Sequence, residues 1–285
     1  KELSTNQAEA AKEQLAKVQN LAEQSINPTR FLEDFNILTT VENLEAARAM
    51  LSDDMTMFRE WKRFKALASG EEAILPDFTE ALENKETMQA AYQSFLDETK
   101  EIKTTLHRDP VMTKQDVKSI KKVDVGARFM NRLSKREFYQ IPVDTGTDIV
   151  NMNVTVLQKG EEQAKVMAEI PTRNLGKISA EATIQDGKLK CFITSDTREG
   201  TQALKERQLN LFAVLAESRL EIGSLFYGTE EVPVDTYAYR TDGIYKDTQG
   251  SEEIQEAPDS TRLYRIAKAL VIHVRNADEM EEQLA

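Results

Sequence analysis

From the N-terminus to about Lys135, apolar residues recur every three or four positions, the spacing that gathers side chains on one face of a helix. Leu15, Val18 and Ala22 form one such stripe, Phe58, Trp61 and Lys65 a second, and Met88, Tyr92, Phe95 and Leu96 a third. Pro28, Gly70, Pro76, Pro110 and Gly126 punctuate the run, so this half predicts helices throughout. Asn27-Pro28-Thr29 separates the first helix from the second. Asp77 ahead of Phe78 and Glu80 has the pattern of an N-cap with an acid in the first turn, and Thr113 with Asp116 makes a second start of the same kind.

At Phe138-Tyr139-Gln140-Ile141-Pro142-Val143 the period drops to two and β-branched residues take over. Met152, Val154 and Val156 alternate with Asn153, Thr155 and Leu157, and Val166, Ala168 and Ile170 with Lys165, Met167 and Glu169, so Lys159-Gly160-Glu161 reads as a hairpin turn. Ile178, Ala180, Ala182 and Ile184 then share one face, Asp186-Gly187 supplies a tight turn, and Leu189 to Thr194 returns. Two successive hairpins predict an antiparallel sheet of four strands. Thr197 or Asp196 caps the next helix, with Glu199 in its first turn and Leu204, Leu211, Phe212 and Leu215 on a buried face laid across the sheet. Glu221 to Tyr227 offers a further strand. Residues 229–258, with Pro233, Gly243, Gly250, Pro258 and many acids, read as a long loop. A closing helix follows, capped by Ser260, its apolar face made by Leu263, Ile266, Ala267, Leu270, Val271 and Val274 before the acidic stretch Asp278 to Glu282.

The expected fold class is therefore α+β, with a helical domain over 1–137 and, over 138–285, an antiparallel sheet with a helix packed across it and a C-terminal helix. A length of 285 residues suits two domains, and 40% hydrophobic residues supply a core for each. No stretch approaches the ~18 consecutive apolar residues of a membrane span, so membrane insertion is not expected. The chain opens at Lys1, and the lack of a signal segment leaves localisation open. With 37 Lys+Arg against 49 Asp+Glu, the net charge of −12 repels phosphate backbones and argues against nucleic acid as a partner. Cys191, the single cysteine, reads as a small residue of a strand in a reducing compartment.

Candidate chemistry is sparse. His107 stands at a helix end, where it can interact with the last carbonyls, and His273 lies on the closing helix between apolar and polar faces; packing roles fit both. There is no H-E-x-x-H, C-x-x-C, G-x-S-x-G, Walker loop or Rossmann glycine fingerprint. Glu71-Glu72, Glu161-Glu162 and Glu252-Glu253 fall in loops or helix ends, where solvated charge is the ordinary state. Trp61 with Phe58 and Phe64 fits a core, and Lys114, Lys118, Lys121 and Lys122 a solvated helix face. These residues lead us to expect no enzyme, no cofactor and no metal site.

One segment is more specific. In Ile170-Pro171-Thr172-Arg173-Asn174-Leu175-Gly176-Lys177-Ile178 a proline ends one strand and a Leu-Gly pair starts the next. With the preceding strand, the Asp186-Gly187-Lys188 hairpin, the helix of Leu204 to Leu220 and the phrase Leu215-Ala216-Glu217-Ser218-Arg219-Leu220-Glu221-Ile222-Gly223, it resembles the C-terminal domain of flagellar hook-length control proteins over residues 148–228. In that family a strand runs into P-x-x-x-L-G or a close variant, then a strand, a tight turn, a strand and a Leu-rich helix.

The resemblance implies a non-enzymatic protein that docks on the cytoplasmic domain of the flagellar export gate and switches its preference from hook to filament subunits. It further implies a cytoplasmic location and export through the flagellar type III apparatus. Pro171, Leu175 and Gly176 alone are carried over as partner-binding residues. Proline blocks strand pairing and glycine permits an unusual turn, so together they would present a rigid exposed loop, and Leu175→Ala would damage binding more than folding. The dense helical pattern of residues 1–135 departs from that family, whose N-terminal region is long, poorly ordered and works as a ruler. A general scaffold that binds a partner helix outside the flagellum is the alternative.

Overall fold

In a computed structural model the described residues are 27–52, 54–107, 112–144, 148–159, 163–185, 188–216, 221–229 and 261–284. The expected helix through Leu15 to Ala22, most of the acidic loop over 229–258, the Ser260 cap and the turns at Gly160 and Asp186-Gly187 lie outside them. The fold class is α+β. Among the described residues five helices, α1 (Pro28–Asp34), α2 (Val41–Leu51), α3 (Thr56–Ser69), α4 (Lys85–Leu106) and α5 (Lys114–Ser134), precede the strands. The strands are β1 (Phe138–Asp144), β2 (Ile149–Lys159), β3 (Gln163–Pro171), β4 (Lys177–Gln185), β5 (Lys188–Ser195) and β6 (Glu221–Thr229). Helices α6 (Arg198–Glu206) and α7 (Gln208–Ala216) connect β5 to β6, and α8 (Thr261–Leu284) is last.

By contacts the chain divides into two compact units. Of the described residues, 27–74 and 96–132 fall in one, and 75–95, 133–229 and 261–284 in the other. The helical unit closes over Phe31, Leu44, Phe58, Trp61, Phe64 and Phe129, all buried. The Trp61 indole N–H donates to Thr99 Oγ1 at 3.1 Å, so the large ring enters the core with its polar atom satisfied. Lys65, which shares the Trp61 stripe, pairs with Glu98 and lies 5.1 Å from the indole centroid. The Thr113 start forms as a reciprocal cap: Asp116 N–H donates to Thr113 Oγ1 at 3.1 Å and Thr113 N–H to Asp116 Oδ2 at 3.1 Å.

Asp77 does something other than begin a helix. Its Oδ1 accepts from Thr79 and Glu80 N–H at 2.9 and 3.1 Å within a run of turns, and α4 starts only after Asn84, whose Oδ1 accepts from Thr87 N–H at 2.8 Å. An Asx turn and an N-cap use the same side-chain bonds, so the sequence pattern of one is the pattern of the other.

The sheet has six strands in the order β1-β2-β3-β4-β5-β6, two more than the paired hairpins predict. Strands β1 to β5 pair antiparallel with their neighbours, while β6 pairs parallel with β5. A parallel neighbour requires a crossover, which α6 and α7 supply. They are two helices rather than the single expected one, because the chain turns at Arg207, whose N–H bonds Leu204 C=O at 3.2 Å. One face of the sheet carries a layer of helices, α8 against β2, β3 and β4, and α6 against β5 and β6. The core of this unit combines Val154, Val156, Val166, Ala168 and Ala180 with Leu263, Ile266, Leu270 and Val274 of α8.

Candidate functional site: the connector between β3 and β4

The segment 171–176 is held by four groups of side chains. Strand β3 ends where Pro171, without an N–H, pairs in register with Lys177. Thr172 closes the loop by itself: its N–H and Oγ1–H donate to Gly176 C=O at 3.1 and 2.5 Å, and its Oγ1 accepts from Leu175 N–H at 3.0 Å. From the end of β5 and the cap of α6, the Ser195 and Thr197 hydroxyls donate to Leu175 C=O at 2.7 and 3.1 Å. Asp196 Oδ1 accepts from Lys177 N–H at 2.9 Å. From α8, Asp278 accepts from Arg173 N–H at 3.1 Å and Asn174 N–H at 2.8 Å, and Asn174 Nδ2 donates back to Asp278 C=O at 3.1 Å.

Two glycines make this packing possible. Gly176 sits at φ +77°, a left-handed conformation, and a Cβ there would come 1.9 Å from Asp196 Oδ1. A Cβ on Gly200, in the first turn of α6, would come 2.1 Å from Leu175 C=O. Thr197 caps the same helix, its side chain accepting from Gly200 N–H at 3.1 Å, as the sequence pattern leads one to expect.

The exposed-loop expectation needs correcting at Leu175. Its side chain is 1% exposed, because the left-handed turn at Gly176 and the hydroxyls on its carbonyl turn it inward. The outward side chains are Arg173 and Asn174, while Pro171 and Gly176 are half-buried. Beside the connector lies a cleft of about 230 Å³, floored by Val143, Val150, Met152 and Ile170 and rimmed by Pro171, Thr172, Arg173 and the α8 residues Arg275, Asp278 and Glu279. Sequence reasoning assigned Asp278 only to an acidic stretch. Its bonding partner Asn174 is 104 residues away, a separation at which no spacing rule operates.

The other candidates lie elsewhere. His107 is exposed just beyond α4. His273 of α8 is buried, with Tyr227 beside it at 6.5 Å between ring centroids. Burial pushes its imidazole down to about 4, the nearby Arg207 charge acts in the same direction, and a hydrogen bond to the Leu204 backbone opposes both. Burial likewise pushes the Cys191 thiol up to about 12, away from the thiolate a nucleophile requires. Among the described residues no group of three or more His, Cys, Asp or Glu has metal-holding geometry, and no helix is long and apolar enough to cross a membrane.

No protein-family model, curated protein or solved structure matches this chain.

Proposed function

We propose that this protein acts by binding another protein, as a hook-length control and export-switch protein of the flagellar type III apparatus, with the cytoplasmic domain of the export gate as its partner. The observation that carries this reading is the connector in its setting. A strand enters Pro171, the chain returns through Leu175 and Gly176 into an alternating strand, and a further strand, two helices and a last strand follow, which matches the order on which the resemblance rests except that α6 and α7 stand where the family has one Leu-rich helix. Rigidity supports a docking role: with its backbone tied to Thr172, Ser195, Thr197 and Asp278, the segment holds Arg173 and Asn174 outward in one conformation. A preorganised loop binds without the entropic cost of ordering itself. On this reading the protein works in the cytoplasm without catalysis and is itself exported.

The decisive experiment deletes the gene in its source organism and images the flagella. Overlong hooks without filaments are the expected result. Hooks of ordinary length carrying filaments would overturn the flagellar role.

A further inference from the structure

We propose that the cleft beside the connector binds a small zwitterion, an α-amino acid with a branched aliphatic side chain, through Arg275 and Glu279 of α8. The proposal adds a small-molecule site to the protein-binding reading and does not depend on the flagellar partner.

The floor of the cleft is apolar. Val143 and Val150 are cross-strand partners on β1 and β2, and Met152 and Ile170 continue the same face of the sheet. Met152 and Ile170 are buried, whereas the two valines are only half-buried and keep apolar surface open to the cleft. A volume of about 230 Å³ is below the roughly 300–1,000 Å³ of drug-sized sites and above the roughly 150 Å³ of an apolar cavity that holds benzene. That size suits one aliphatic side chain with its α-carbon.

Five charged residues rim this floor, and three are in use. Asp278 accepts the Arg173 and Asn174 N–H groups, and Arg173 and Asp144 each have interactions of their own. The remaining two are Arg275, half-buried, and Glu279, exposed; neither makes an ion pair, with the other or with any other described residue. They stand one turn apart on α8, a spacing at which two side chains reach a common point. One unused cation and one unused anion beside an apolar floor are complementary to a carboxylate, an ammonium and an apolar group carried on one carbon. The planar guanidinium takes the carboxylate through paired N–H bonds, Glu279 takes the ammonium, and the side chain lies over Val143 and Val150. An acid or an amine alone would leave one of the two rim charges unmatched.

Isothermal titration calorimetry on the full chain compares L-leucine with isocaproate, which lacks the ammonium, isoamylamine, which lacks the carboxylate, and glycine, which lacks the side chain. Leucine should bind, and each analogue should bind at least about tenfold more weakly, the loss expected for one missing charge-assisted or apolar contact. Arg275→Gln should weaken leucine by about tenfold or more, and Glu279→Gln should do the same while leaving isocaproate unchanged. Both side chains stand outside any ion pair, so the ligand-free variants should melt with the wild type. Where a variant melts lower, the analogue series on the wild type still decides. Isocaproate binding as tightly as leucine, leucine binding unchanged in Arg275→Gln, or no heat from leucine at about 10 mM would each overturn the site. Hook morphology tests the flagellar reading by itself, so the two readings fail separately.

Discussion

Leu175 and Gly176 are adjacent, yet each holds the connector by a different means. The leucine contributes a buried side chain, and its truncation to alanine removes apolar contacts and leaves a void, a change that costs about 2–5 kcal/mol. Chemical denaturation of Leu175→Ala should show that loss, and an unchanged midpoint would return the side chain to the surface. Glycine contributes an absence: Gly176→Ala puts a methyl group against Asp196 at positive φ, a strain of roughly 1–3 kcal/mol. His273 adds a pH dependence to the same unit. In the unfolded chain its imidazole titrates near its ordinary 6.5, whereas in the fold it stays neutral down to about 4. Between those values only the unfolded state takes the proton, so stability is full above the ordinary value and falls as pH drops through this window, by up to about 3 kcal/mol. Tyr227, whose ring lies beside the imidazole, is pushed well up by burial and does not titrate there. Melting temperatures at pH 7.5 and 5 should therefore differ more for the wild type than for His273→Leu, and parallel pH slopes would remove His273 as the cause.

Helix α8 shows how an element can be legible while its purpose is not. Its apolar face, Leu263 to Val274, is readable from spacing, and every one of those residues is buried. Its polar contacts are the opposite case. Tyr264 donates a hydrogen bond to Glu137 Oε1 at 3.1 Å and so accepts one from Tyr139 at 2.6 Å, bonds that cross 127 and 125 residues. Tyr264→Phe removes the Tyr264 oxygen from the buried Tyr139 hydroxyl and should cost about 1–3 kcal/mol, whereas Tyr139→Phe in the same background should recover part of that loss. A double-mutant cycle by thermal or urea unfolding measures the coupling, and simple additivity would refute it. The sheet divides along the same line. Alternation marks β2 through β5 because their pairing is local, and Phe138 marks the entry to β1 by composition. Nothing in the period of Glu221 to Tyr227 says that β6 runs parallel to β5, and the stripe Leu204, Leu211 and Leu215 passes through Arg207 as though one helix continued. The connector was visible as Pro171, Leu175 and Gly176. Its direction was not, because side-chain burial there is decided by Ser195, Thr197 and Asp278 from two other places in the chain.

At the scale of the whole molecule, the distribution of charge governs behaviour in solution. An excess of 12 carboxylates at neutral pH keeps copies apart and repels polyanions, so the stacked Phe192 and Phe226 on β5 and β6 can stay exposed without driving self-association. That protection is conditional on pH. Neutralising the chain requires protonating roughly a quarter of its 49 acids, less a small allowance for its two histidines, and this occurs near pH 4.5–5 with ordinary carboxylate values. In the same interval the buried His273 is drawing stability down toward its folded value of about 4. Loss of repulsion and loss of stability therefore coincide, with exposed rings available to associate. Light scattering against pH should give a solubility minimum near pH 4.5–5, and F192T/F226T should scatter less than the wild type at that minimum while matching it at pH 7. Equal scattering by the two proteins would place the association elsewhere than on the β5–β6 face.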